Sequence, residues 1–244
     1  MTENDESASD GTLIDRITDR LITAVAIGEF LPGTRLPAER DLARSLGIGR
    51  TTTRAALDRL VSRGILEKQR GRAGGSFVRE EWPTSEVAAV ARWFEEQWPQ
   101  LVDAAVAGTH LHGAVARLAA SNRTDDDIER LESCLDDFRQ AESGAARQHA
   151  DSILHLAIIS AAHNETLSAI VLDHERRFTI IAPAHPWGDS ASRPAMEERA
   201  GREHRELVAA IVDGRVDDAG RIAQHHVEID LELLDAARRR ALTR

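Results

Sequence analysis

Apolar positions along this chain fall into helical periods over most of its length. Leu13, Ile14, Ile17, Leu21, Ile22 and Val25 recur at three- and four-residue spacing behind Thr12 and Asp15, which predicts a helix from about residue 12 to Gly28 opened by a capping box. Pro32-Gly33 makes a turn. Pro37 suits the first turn of a short helix whose inward face is Leu42, Ala43 and Leu46, and Gly47 closes it. A third helix, from about Arg50 to Arg63, turns Ala56, Leu57, Leu60 and Val61 inward and stops at Gly64. Helix, tight turn and helix in this order is the helix-turn-helix arrangement.

The period then changes. Residues 65–70 and 76–79 read as two short strands joined by Gly71-Arg72-Ala73-Gly74-Gly75, a basic hairpin that forms a wing on the three helices. Trp82-Pro83-Thr84-Ser85 reads as a linker. From residue 86 onward only helical periods recur, over about 85–98, 100–121, 125–142, 146–162, 165–181, 195–213 and 217–241. Their punctuation is Pro99, Thr124 as an N-cap, Gly144, Asn164, the 183–188 loop and Gly214. Consecutive helices with short connections predict an antiparallel bundle. The expected fold class is therefore mainly α: a disordered tail over 1–10, an N-terminal winged helix-turn-helix over 11–80, a linker over 81–85, and an all-helical domain over 86–244.

Charge sharpens this division. The chain of 244 residues carries a net charge of −10, which on its face argues against a nucleic-acid partner. The sum conceals three unlike segments: −4 over residues 1–10, +5 over 11–80 and −11 over 81–244. A basic reader attached to an acidic partner domain leaves this footprint. No apolar run approaches the roughly 18 residues that span a bilayer, and the acidic start is unlike a signal peptide, so a cytoplasmic protein without a membrane partner is expected. The single cysteine, Cys134, excludes an internal disulfide framework and a cysteine-based zinc finger. Any metal site must use nitrogen and oxygen ligands.

Two groups of residues carry candidate chemistry. Arg50, Thr51, Thr52 and Arg54 lie at the start of the third helix, with Arg50 and Arg54 one turn apart and opposite its apolar face. A helix enters the major groove, where arginine can donate two hydrogen bonds to guanine, and free N–H groups at a helix start favour phosphate. Asp151 and His155 stand four residues apart on a predicted helix, while His204 and His226 lie on the last two helices, at similar height if those run antiparallel. The residues alone fit either a divalent-metal site or histidines satisfied in core and surface. His110 and His112 read as polar residues on a partly exposed helix, and His225 should point away from His226.

The stretch PGTRLPAERDLARSLGIGRTTTRAALDRLVSRGILEKQRGRAGGSFV, residues 32–78, resembles the winged-helix domain of the GntR family of bacterial transcription regulators. The remainder resembles the all-helical, FCD-type effector domain of the FadR-like subfamily through Asp151-x-x-x-His155, Asn164, Glu203-His204 and His226. The resemblance implies that Arg40, Arg50 and Arg54 contact DNA, that Arg70 and Gly71 form the wing tip in the minor groove, and that Asp151, His155, His204 and His226 hold a divalent ion such as Zn, Ni, Mn or Fe. It implies a small-molecule effector of organic-acid type, although the Arg that meets the effector's carboxylate in many members, and the Glu four residues after it, are here Gly108 and His112. Gly49 stands where the family often has Ser or Thr.

Three functions compete. A ligand-responsive regulator binding a palindromic DNA operator as a homodimer uses both halves of the chain. A metal-dependent enzyme could use the Asp/His cluster, but no HExxH, Gly-x-Ser-x-Gly or phosphate-binding glycine motif accompanies it. A nucleoid-type architectural protein would be basic throughout. The sequence favours the regulator over both.

Overall fold

The computed structural model describes residues 3–26, 30, 32–71, 74–181 and 193–242. The 183–188 loop, with His185 and Trp187, lies outside these residues, as do Gly28 and the wing residues Arg72 and Ala73. In chain order the described elements are α1 (Glu3–Ala26), α2 (Glu39–Ser45), α3 (Arg50–Ser62), β1 (Leu66–Gln69), β2 (Gly75–Val78), α4 (Thr84–Asn122), α5 (Asp125–Gln140), α6 (Ala145–Ala161), α7 (Glu165–Ile181), α8 (Arg193–Val212) and α9 (Val216–Leu242).

In the winged helix, the sequence pattern becomes a closed core. Ile17, Leu21 and Ile22 of α1 are buried with Leu42 of α2 and Ala56, Leu57 and Leu60 of α3. Gly47 takes φ of +64° in the turn between α2 and α3, a conformation that costs a side-chain-bearing residue about 1–2 kcal/mol. β1 and β2 pair antiparallel with Leu66 opposite Val78 and Gln69 opposite Gly75. The wing has a third edge that the sequence did not announce: the Leu36 N–H donates to Ser76 O (2.9 Å), the Val78 N–H donates to Thr34 O (2.9 Å), and Arg35 bridges Phe77.

Two sequence expectations are corrected at the helices. α1 continues back to Glu3 through the segment expected to be a disordered tail. Without a helix start at residue 12, Asp15 is not part of a capping box; it pairs with Arg59 of α3. Pro99 does not separate two helices, because α4 runs through it without interruption. A proline inside a helix costs about 3 kcal/mol through its missing N–H and ring clash, and Phe94 and Leu101, both wholly buried on either side, offset that cost.

The chain forms two compact units whose boundary differs from the expected linker. The first comprises 1–101, 177–184 and 234–244, and the second 102–176 and 185–233. Of the expected linker over 81–85, Glu81, Trp82 and Pro83 stay outside helix, since α4 begins at Thr84.

Helices of the second unit pack about Val115, Ala119, Leu131, Leu154, Ile158, Val171, Leu207 and Ile211. Polar ties fix their ends. Arg123 donates to Val212 O and caps the last turn of α8, and buried Glu197 of α8 accepts from Ser143, the Gly144 N–H and Arg147 at the start of α6. Thr124 caps α5 in a reciprocal capping box with Asp127, whose carboxylate also meets His163 Nε2 at 2.6 Å. Thr124→Ala is expected to lower stability by about 1 kcal/mol, read as a lower urea midpoint at unchanged slope. An unshifted midpoint would assign the helix start to Asp127 alone.

Candidate functional site

In the first unit the outer face of α3 is built by exclusion. Thr53, Ala56, Leu57 and Leu60 are buried, leaving Arg50, Thr51 and Arg54 exposed and Thr52 half-buried at the helix start. The N-cap is Gly49, whose missing side chain leaves the first N–H groups of α3 uncapped by any side chain. Arg54 is held by Glu39 of α2, its Nε donating to Oε2 at 3.0 Å and its Nη2 lying 2.9 Å from the same oxygen. This contact fixes the direction of the guanidinium across the α2–α3 turn. Sequence reasoning missed it, since nothing in the spacing of residues 39 and 54 reveals an approach across a turn. Arg40 is exposed and pairs loosely with Asp41 (3.3 Å). Arg70 and Gly71 are exposed at the wing, where Gly71 takes φ of +106°.

The second unit brings Asp151, His155, His204 and His226 together, all buried, with one ligand atom from each lying within 4.8 Å of the others. Asp151 and His155 share the inward stripe of α6; α8 supplies His204, and α9 supplies His226. His204 Nε2 is 3.0 Å from His226 Nε2 and 3.2 Å from Asp151 Oδ1, and His155 Nε2 is 3.8 Å from the same oxygen. The His204 ring is braced edge-on by Phe138 of α5, with centroids 4.7 Å apart. Ligands bound at about 2.0–2.2 Å to one cation stand roughly 3.0–3.6 Å apart when adjacent in its shell; the His204–His226 and His204–Asp151 separations fall in that range, His155 stands slightly wider at 3.8 Å, and the donor set suits a divalent ion.

Around this cluster lies a ring of charged and polar side chains. His226 Nδ1 is 2.9 Å from Glu203 Oε2, and Glu203 Oε1 accepts from Arg199 at 2.9 Å. Burial opposes ionisation of Glu203, but hydrogen bonds from His226 and Arg199 outweigh it and hold the carboxyl below its ordinary range. His225 is largely exposed and turns to Glu228 at 3.2 Å. His112, expected on a partly exposed face, is buried instead, its Nε2 3.2 Å from Glu175 and its ring 5.6 Å from that of His155; His110 is exposed. At Gly108, a Cβ would stand 3.0 Å from His174 Nε2, so the space beside α4 is taken by a histidine of α7.

Asp230 lies one turn beyond His226 on α9. Burial pushes its carboxyl up to about 7, with Glu175 adding to the rise and His226 and His112 opposing it. The folded chain thus keeps a proton that the unfolded chain loses near pH 4. Between about pH 4 and 7 the native state binds more protons, and stability falls as pH rises. Asp230→Asn is expected to remove this decline, so in chelator-treated samples wild-type Tm should drop relative to the variant from pH 5 to 7.5. Parallel curves would show that the carboxyl ionises freely in the fold.

A winged helix with arginines on its outer face, joined to a helical bundle with a buried histidine-rich centre, is the make-up of a DNA-binding transcription regulator. The family comparisons agree. Residues 13–78 match the gntR family of bacterial regulatory proteins and residues 103–229 match the FCD domain; the chain belongs to the GntR family of transcription regulators. RmpR of Mycobacterium gastri, which carries the name of an HTH-type transcriptional regulator, is 30% identical over 215 residues, covering 87% of this chain and 77% of its own. The HTH-type transcriptional regulator LutR of Bacillus subtilis is 30% identical over 198 residues, covering 77% and 85%. The galactonate operon transcriptional repressor of Escherichia coli is 27% identical over 202 residues, covering 81% and 86%. Among solved structures, McbR/YncC of E. coli matches at 21% identity and a TM-score of 0.47, covering 92% of this chain and 97% of that one. The domains and relatives are those of regulators rather than enzymes. Among the described residues, no helix is long and apolar enough to cross a membrane.

Proposed function

We propose that this chain is a cytoplasmic, metal-dependent, ligand-responsive regulator that binds a palindromic operator as a homodimer. Arg50 and Arg54 read bases in the major groove, Thr51, Thr52 and Arg40 meet the backbone beside them, and Arg70 and Gly71 bring the wing tip to the minor groove. A single winged helix covers little DNA, so two half-sites related by the two-fold axis of a dimer supply the affinity. The observation that carries the sensing half is the convergence of four buried donors, from three helices, within 4.8 Å.

Asp151, His155, His204 and His226 would hold the ion, whose net charge the Asp151 carboxylate would reduce to +1. A bound ion would supply the positive charge that polarises and anchors a carboxylate. That role matters here because His174 fills the space beside Gly108, where a longer cationic side chain would otherwise stand. A small hydroxy acid, chelating through carboxylate and hydroxyl, fits both the cation and the relative named for a galactonate operon. Effector binding alters DNA affinity through its differential affinity for two states of the chain.

The test combines elemental analysis with DNA retardation on a palindromic fragment. One equivalent of metal per chain, and release of DNA by a hydroxy acid in metal-loaded but not chelator-stripped protein, is the expected result. Release that is indifferent to chelation would remove the metal from the effector site.

A further inference from the structure

We propose that Glu203 is the positioning residue of the candidate metal centre, fixing His226 so that its Nε2 lone pair faces the other ligands. The inference rests on the metal reading above. It concerns a residue one position from a ligand, on the same helix, yet acting on a different ligand across a helix pair. Glu203 lies on α8 beside His204, but its carboxylate reaches α9, where Oε2 stands 2.9 Å from His226 Nδ1. Both side chains are buried, at 6% and 7% exposure, so water does not compete for this bond.

An ionised carboxylate can only accept. The imidazole proton is therefore held on Nδ1, and Nε2 presents its lone pair toward His204 Nε2 at 3.0 Å and the Asp151 carboxylate beyond. A histidine ligand whose second nitrogen donates to a carboxylate is both oriented and made more basic, and removing such a partner typically weakens metal binding about 10- to 100-fold.

The carboxylate is itself held. Its other oxygen accepts from Arg199 Nε at 2.9 Å, one turn earlier on α8, and Arg199 forks onto Glu232 of α9 at 2.7 and 3.3 Å. This chain crosses from α8 to α9 twice, once through Glu203–His226 and once through Arg199–Glu232, and it balances the buried negative charge with a guanidinium. His225 is a built-in control. Its Nε2 lies 3.8 Å from Glu203 Oε1, but the side chain is 60% exposed and bonded to Glu228.

The experiment compares the full-length wild type with Glu203→Gln, Glu203→Ala and His225→Ala. Zinc affinity is measured by competition with a chromophoric chelator, and the fold of each metal-free protein by circular dichroism and Tm. A second readout comes from cobalt(II)-loaded protein, in which a hyperfine-shifted, exchangeable Nδ1–H signal of His226 should be protected in wild type. Zinc affinity should fall about 10- to 100-fold in Glu203→Ala and toward the lower end in Glu203→Gln, which keeps size and an acceptor but loses the charge. The protected signal should vanish or exchange rapidly in Glu203→Ala, while His225→Ala matches wild type in both measurements. If the alanine variant fails to fold, the glutamine variant decides through its affinity and the same signal. A wild type that takes up zinc, together with folded Glu203 variants that bind within twofold of it, overturns the positioning role and leaves the metal reading intact. Equal losses in the Glu203 variants and His225→Ala also overturn it, as general loosening of the helix pair. A wild type that takes up no zinc overturns the metal reading and the inference with it.

Discussion

Replacing Arg50 and Arg54 together with alanine is expected to abolish specific operator binding while leaving the fold untouched. Both side chains are exposed on the outer face of α3, opposite the buried Ala56, Leu57 and Leu60, so neither contributes to the core. A bidentate arginine–guanine contact is worth about 1–3 kcal/mol. Two such contacts in one half-site, doubled by a two-fold operator, amount to several orders of magnitude in affinity. The single variants should differ from each other. Arg54 is already aligned by Glu39, so its contact requires less ordering of the side chain, and Arg54→Ala should cost at least as much as Arg50→Ala. Arg70→Ala in the wing should instead lower affinity on all sequences and flatten the salt dependence if the lost contact is to phosphate. Fluorescence anisotropy on operator and scrambled duplexes at several salt concentrations separates these effects. Operator affinity equal to wild type in the double variant would place the reading surface elsewhere on the winged helix.

Loss of the proposed metal is the second large effect. In His226→Ala the proposed centre loses a buried imidazole that is also the endpoint of the Glu203 hydrogen bond, and metal content is expected to fall from about one equivalent to a small fraction. His225→Ala should retain it. Saturating zinc stabilises only a fold that binds it, by about 4 kcal/mol when free zinc exceeds Kd a thousandfold. For a chain of this size that corresponds to a rise in Tm of roughly 8–16 °C, which His226→Ala should lack. Because imidazole must be deprotonated to bind, the zinc-induced rise should shrink below about pH 6. Equal zinc responses in wild type and His226→Ala would remove this residue from the centre.

Local pattern revealed most of the architecture. The 3.6-residue recurrence of Leu57 and Leu60, the break at Gly64 and the alternation after it describe α3 and the wing to within a residue or two. The separation of Asp151 and His155 by one helical turn was likewise readable, because a shared stripe is a property of one helix. The missed features depend on neighbours distant in sequence. Thr34 to Leu36 is too short to signal a strand until β2 lies beside it. Pro99 looked like a stop because a proline's cost is local, whereas the burial of Phe94 and Leu101 that offsets it is not. Glu203 differs by about 100° in direction from its neighbour His204, and only the crossing of α8 and α9 brings it to His226. The pairing of Arg199 with Glu203, one turn apart on α8, was the one local hint of that network.

The interleaving of the chain between its two compact units bears on how regulators of this type can be recombined. A hybrid made by splicing a foreign reader onto this sensor at residues 81–85 would cut where the sequence suggests a hinge, yet Phe94, Leu101 and Leu234 are buried residues of the unit that contains the winged helix. Such a cut would part them from the rest of that unit. A junction after Leu101, with 177–184 and 234–244 exchanged at the same time, keeps each unit's residues together. The second unit is then portable as the segments 102–176 and 185–233, rather than as everything downstream of one cut.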